Sequence, residues 1–124
     1  MTILSLEFGD VVTANFPKHT PKGHEQEGYR PAIVVGFPQQ LGIPRFSSVI
    51  LIPITTDRGQ EWATNSPDLY PRFPTGTAGL RQPSIALLEQ IRFLDLIGIM
   101  EYWGRLTPEE YQPIFQGIQK MITP

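Results

Sequence analysis

The chain has no cysteine among its 124 residues. That removes a disulfide framework and any thiolate metal site. Histidine is almost as scarce. His19 and His24 are its only two, five positions apart with no carboxylate or histidine cluster at ligand spacing, so neither a metal nor a cofactor is expected. No run approaches the ~18–20 apolar residues of a membrane span. No basic stretch followed by an apolar run opens the chain, so a cytoplasmic protein without a signal peptide is expected. Charged residues make up only 18% and the net charge is −2. This argues against broad electrostatic binding to duplex nucleic acid and leaves room for a local positive cleft. Phosphate-cradling and dinucleotide fingerprints, internal repeats and linkers are all missing.

What is present is proline and glycine, 13 and 11 residues, in a chain that is 40% hydrophobic. They are spread evenly, which implies short strands and turns rather than a disordered tract. The length fits a single domain over residues 1–124. Residues 9–16 read as a first strand, with Val12, Ala14 and Phe16 on one face and Val11, Thr13 and Asn15 on the other. Residues 17–30 form a long polar loop. Residues 31–36 are apolar throughout, so both faces of that strand should be covered. A second apolar run at 48–55 contains Pro53, which belongs at a bulge or an unpaired edge position. Residues 57–79 are weakly patterned, with a short edge strand near 70–73. A strand is expected at 84–91, a turn at 93–95 and a last strand at 97–103.

The C-terminus is the clearest helix. Thr107 is an N-cap, Pro108 takes the first helical position and Glu110 completes a capping box. Leu106 and Tyr111 can form a hydrophobic staple. Tyr111, Ile114, Phe115, Ile118, Met121 and Ile122 share one face. Pro113 should kink this helix or delay its regular part. The expected fold class is mainly β: a small, strongly curved antiparallel barrel with a terminal helix packed on it.

The 23–35 stretch draws most attention, because a glycine-punctuated polar loop delivers Arg30 to the mouth of an apolar strand. Arg30 suits clamping a phosphate and stabilising charge that grows on it; a surface ion pair with Glu25 or Glu27 explains it equally well. Thr55 and Thr56 end another apolar strand. They could hold a phosphate oxygen, or simply be β-branched strand residues. Glu25 and His24 have the chemistry of a general base and a general acid. Gln90 and Arg92, alternating along the expected strand, could contact bases or lock the barrel. Among the loop aromatics Tyr29, Phe46, Trp62, Tyr70 and Phe73, some could stack on unpaired bases.

Four blocks in order carry a resemblance. They are Gly9-Asp10-Val11-Val12; Gly23 through Tyr29-Arg30-Pro31-Ala32; Ile52-Pro53-Ile54-Thr55-Thr56; and Leu88-Glu89-Gln90-Ile91-Arg92-Phe93-Leu94-Asp95. Together with the terminal helix, they closely resemble the MazF/PemK family of toxins from type II toxin–antitoxin pairs. The resemblance implies an SH3-like, CcdB-like barrel that forms a homodimer. It implies a metal-independent endoribonuclease that cuts single-stranded mRNA to a 2′,3′-cyclic phosphate and a 5′-hydroxyl. Arg30 and Thr55 match catalytic positions of the family, and Glu25 a position implicated in some members. His24, Thr56 and Gln90 are the RNA-binding candidates. The implied partners are RNA, a second copy and an antitoxin whose acidic tail enters the RNA groove and displaces the 17–29 loop; operator DNA is reached only through the antitoxin. That loop is expected to be the least ordered part of the free toxin. A non-enzymatic gyrase poison of the same fold and an inactive partner-binding barrel are the alternatives. The C-terminal Lys120-Met121-Ile122-Thr123-Pro124 disfavours the first, and retention of Arg30 with Thr55 disfavours the second. Two features depart from the family. Leu87 and Glu89 stand where some members carry a second catalytic arginine and an aspartate, and the 57–81 segment is long and proline-rich.

Overall fold

A computed structural model describes residues 5–18, 21 and 23–124. Among these residues seven strands form one curled antiparallel sheet: β1 Asp10–Phe16, β2 Gly28–Gly36, β3 Ser48–Thr56, β4 Arg72–Phe73, β5 Ser84–Ala86, β6 Arg92–Asp95 and β7 Ile99–Arg105. A one-turn helix α1, Glu61–Asn65, lies between β3 and β4, and the long helix α2, Pro108–Ile122, ends the chain. The sheet order is β4-β5-β3-β2-β1-β7, with β6 also paired to β3. The result is a mainly β half-barrel closed by a C-terminal helix, as the sequence pattern implies.

Alternation along the central strands sends side chains into two cores. Val12, Ala14, Phe16, Ala32, Val34, Val49 and Leu51 fill one, together with Leu94 and Leu96. Val11, Ile33, Ile52 and Ile54 point the other way and pack with Leu88, Leu106 and Ile114. The register explains the split, because Val11 pairs with Ile33 and Ile33 with Ile52, one row on the helix side. Both faces of β2 are therefore covered, and its run of buried residues needs no polar alternate.

β3 changes partners midway. Its first half, Ser48 to Leu51, pairs with β6, and Ile54 to Thr56 pair with β5. Pro53 sits in the gap between these ladders, where a missing N–H leaves no strand neighbour unsatisfied. Its carbonyl accepts from Leu87 N–H at 3.0 Å.

The expected strand at 84–91 is a correction. Only Ser84–Ala86 is extended; Leu88–Gln90 makes a 3₁₀ turn, and Phe93–Asp95, expected as a turn, belongs to strand β6. Leu87 and Leu88 are both buried but belong to different cores, which the 3₁₀ turn permits and a continued strand into one core would not. Glu89 and Gln90 therefore do not alternate along a strand.

The α2 capping box is complete. Glu110 N–H donates to Thr107 Oγ1 at 3.1 Å and Thr107 N–H donates to Glu110 Oε1 at 2.9 Å, an arrangement worth about 1 kcal/mol. Leu106 and Tyr111 join the same core. The helix begins at Pro108 and runs on to Ile122, so Pro113 does not delay its regular part. Only part of the expected apolar face is covered: Ile114 is fully buried and Ile118 partly, whereas Phe115, Met121 and Ile122 are exposed.

At the other end of β1, Asp10 is fully buried. It accepts from Arg105 Nε at 2.6 Å and from Glu7 N–H at 2.7 Å. The Asp10 carboxylate beside it holds the Arg105 guanidinium above its ordinary pKa. This pair ties the first strand to the last.

Candidate active-site pocket

Arg30 and Thr55 come together through strand register. β2 and β3 pair Ala32 with Pro53 and Ile33 with Ile52. Arg30 and Thr55 lie two residues beyond Ala32 and Pro53, at the same end of the two strands. Both line one pocket of about 230 Å³, along with Tyr29, Pro31, Ile54 and Thr56. The rest of its wall comes from distant segments: Arg58, Leu80, Arg81, Gln82, Ser84 and Trp103. Thr55 and Thr56 are fixed from the far side by pairing with Ile85 and Ser84 of β5.

The Arg30 guanidinium is not consumed by an ion pair. Its Nε donates to the Glu27 carbonyl at 2.9 Å, which orients the group and leaves the terminal nitrogens for a ligand. Among the described residues no carboxylate bridges to it; ion pairs form instead at Arg72–Asp57, Arg105–Glu7 and Arg105–Asp10. The surface ion pair with Glu25 or Glu27 is thus not the arrangement found. Of the lining residues three are arginines and none is an aspartate or glutamate, so a chain of net charge −2 concentrates positive charge here. A cleft of one sign with apolar walls focuses the field on an anion.

Glu25, His24 and Gln90 sit elsewhere. None of them lines the pocket. Gln90 instead binds their loop: Gln26 N–H donates to Gln90 Oε1 at 2.8 Å, and Gln90 Nε2 donates to the His24 carbonyl at 3.1 Å. It therefore grips the backbone on both sides of Glu25, the locking role rather than a free side chain. His19, Thr20 and Lys22 of the same loop lie outside the described residues, so the expectation about its order is met there by no observation. Arg92 lies over the Phe16 ring at 5.5 Å, and Asp95 caps the next turn by accepting from Ile97 N–H at 3.0 Å.

Gln90→Leu is expected to free this loop segment. Losing two hydrogen bonds of about 1 kcal/mol each should speed amide exchange at Gln26 by roughly tenfold or more. Unchanged exchange there would show that other contacts hold the loop.

Sequence reasoning does not single out Arg58, Arg81 or Trp103. Arg81 lies over the Trp103 ring at 4.3 Å. Among the described residues the buried Trp103 indole N–H has no acceptor. The one sequence signal for this cluster is the departure at 57–81, which supplies Arg58, Leu80 and Arg81. Tyr29, one of the loop aromatics, is at the pocket and largely exposed; Trp62 and Tyr70 instead pack edge to face at 4.8 Å. Burial raises the Tyr70 phenol above its ordinary pKa, and the hydrogen-bonded Glu89 carboxylate adds to the effect. Among the described residues no three His, Asp or Glu side chains gather as metal ligands, and no helix is long and apolar enough to cross a membrane.

Comparison with known proteins follows the same lines. The model of a family described as PemK-like, MazF-like toxin of type II toxin-antitoxin system matches residues 7–122. Among solved structures, MazF from Deinococcus radiodurans is 20% identical with a TM-score of 0.69, covering 94% of this chain and 96% of that one. An endoribonuclease from a Mycobacterial species, in complex with its cognate antitoxin, is 15% identical with a TM-score of 0.65, covering 94% of this chain and 93% of that one. A MazE–MazF structure from D. radiodurans is 20% identical with a TM-score of 0.63, covering 94% and 95%. At these identities the structural likeness is one of fold. No individual curated protein matches by sequence.

Proposed function

The chain belongs to the PemK-like, MazF-like toxin family of type II toxin–antitoxin systems, and from that premise we propose that it is a cytoplasmic, metal-independent endoribonuclease acting on single-stranded mRNA. The observation that carries this reading is Arg30 and Thr55 on one wall of an arginine-lined pocket free of carboxylates. In the proposed step the ribose 2′-oxygen bonds to the adjacent phosphorus and the bond from phosphorus to the 5′-oxygen breaks. The products are a 2′,3′-cyclic phosphate and a 5′-hydroxyl. One proton leaves the 2′-hydroxyl and one is delivered to the departing 5′-oxygen. The protein aligns these groups and stabilises the crowded phosphorane. Arg30 faces the non-bridging oxygens, and Thr55 Oγ1 donates to one of them. Arginine side chains stay cationic in proteins, so the base is a different group. Glu25 is that base in this reading, carried into the pocket by its loop. Tyr29 and Thr56 meet the RNA bases and backbone, and His24 joins them when the loop moves.

Two partners complete the proposal. An antitoxin enters with an acidic segment whose carboxylates meet Arg30, Arg58 and Arg81 in place of RNA. A second copy covers the exposed apolar residues Leu41, Ile43, Phe46, Phe93 and Ile97, which lie on the 37–47 connection, on β6 and just beyond it; exposed apolar clusters of this kind favour association. Sedimentation of the purified protein reads the dimer directly.

The purified protein is expected to cut a single-stranded RNA in excess chelator, with sequencing of the ends giving 5′-hydroxyl termini at one short motif. Absence of cleavage on a broad mixture of RNAs, in a protein freed of antitoxin, would overturn the enzymatic reading. Inhibition of gyrase without RNA cleavage would favour the poisoning alternative.

A further inference from the structure

We propose that Arg81, laid over Trp103, forms with Arg58 a second anion subsite that holds the phosphate next to the scissile one. The proposal rests on the ribonuclease reading for the identity of the ligand, but its physical basis is separate. Two residues of the pocket, Arg30 and Thr55, account for one phosphate. The remaining positive charge comes from the 57–81 segment and is unexplained by them.

Arg58 and Arg81 are both exposed at the pocket. Among the described residues neither makes an ion pair, in contrast to Arg72 and Arg105. Two more guanidinium groups beside Arg30 repel one another unless an anion sits between them. Arg72, only a strand away, is fully engaged by Asp57 at 3.1 Å and Thr64 Oγ1 at 2.9 Å. The segment thus neutralises the arginine that does not line the pocket and leaves without an ion pair the two that do.

Trp103 gives Arg81 a fixed position. Its guanidinium carbon lies 4.3 Å from the ring centroid, a cation–π contact that uses up none of the N–H donors with which a guanidinium grips phosphate in a fork. The pocket volume of about 230 Å³ is several times the ~30 Å³ share of one liquid water, which gives room for more than a single small group.

The test is binding of oligonucleotides that cannot be cut. A single-stranded ten-nucleotide probe with 2′-O-methyl riboses is titrated by fluorescence polarisation over a range of salt, alongside a 2′-O-methyl dinucleoside monophosphate that has one phosphate only. Arg81→Ala should weaken the ten-nucleotide probe about tenfold at low salt. It should flatten the plot of log affinity against log salt by about 0.7, the value for one phosphate contact on a single strand. Arg58→Ala should act in the same direction. Arg81→Lys should keep the slope, and Lys120→Ala, in a different cavity, should change nothing. The dinucleoside should bind wild type and Arg81→Ala alike. Unchanged slope in Arg81→Ala, no binding of the longer probe by wild type, or an equal loss on the single-phosphate probe would each overturn the second subsite. If wild type binds as described but cuts no RNA, the subsite stands and the catalytic reading falls.

Discussion

Replacing Arg30 with alanine is expected to lower RNA cleavage by about 10²–10³-fold, the usual cost of removing one preorganised donor to a developing oxyanion. The loss should appear in kcat more than in KM, because the charge on the phosphorane exceeds that on the ground-state phosphodiester. Thr55→Ala should lose less, roughly tenfold to a hundredfold, since a neutral hydroxyl donates a weaker bond than a guanidinium. Neither change should unfold the protein. Arg30 holds the Glu27 carbonyl through its side chain and is only half-buried; Thr55 keeps its backbone pairing with Ile85 whatever its side chain. The double variant should be scarcely slower than Arg30→Ala if the two act on the same phosphate as a unit. Additive losses would place them on different steps. Normal cleavage by both single variants, with circular dichroism unchanged, would remove both residues from the chemistry.

Much of the frame behind this pair is legible in the sequence. β1 to β3 are strongly patterned, and their buried runs end where Arg30 and Thr55 begin. Once those strands pair antiparallel, register brings the two residues to the same end of the sheet. α2 is legible because its cap is local chemistry, Thr107 to Glu110, independent of the rest of the fold. What escapes the sequence is structure set by distant contacts. The five-residue α1 is too short to be stable alone; it is kept by the fold around it, with Trp62 against Tyr70 and an Arg72 terminal nitrogen donating to the Gln60 carbonyl at 3.2 Å. Residues 84–91 look like one strand because Ile85 to Leu88 is continuously apolar, a pattern that a turn between two cores satisfies equally well. Phe93–Asp95 is a strand only because Ser48–Leu51 is there to pair with it. The site divides in the same way. Arg30 and Thr55 follow from local pattern, whereas Arg81 and Trp103, far apart in the chain, meet only through a tertiary crossing.

That crossing gives the second large effect, expected in Gly79→Ala. The turn over Thr77–Gly79 lies on β7 so closely that a Cβ on Gly79 would collide with the Trp103 carbonyl oxygen and carbon. From the other side, a Cβ on Gly104 would sit 2.6 Å from the Ala78 carbonyl carbon and oxygen. These obstacles are backbone, which cannot swing aside as a side chain does. Gly79 also has φ of +79°, in the left-handed region that costs an L-residue about 1–2 kcal/mol. Forced overlap in a packed region adds about 1–3 kcal/mol. Gly79→Ala should therefore destabilise by about 2–5 kcal/mol, a fall in Tm on the order of 10 °C for a chain of this size. Gly76→Ala separates the two terms. Gly76 lies in the same turn with φ of +93°, and no atom comes within 4 Å of the place its methyl group would take. It should lose only the conformational part, about 1–2 kcal/mol. Equal melting temperatures for the two variants would mean that the close approach to β7 contributes nothing. Because Leu80 and Arg81 follow this turn directly and Trp103 lies beneath it, surviving Gly79→Ala protein should also bind the ten-nucleotide probe with a flattened salt dependence. Gly76→Ala protein should keep it. The two glycines then distinguish a turn that merely connects strands from one whose contact with β7 shapes the pocket wall.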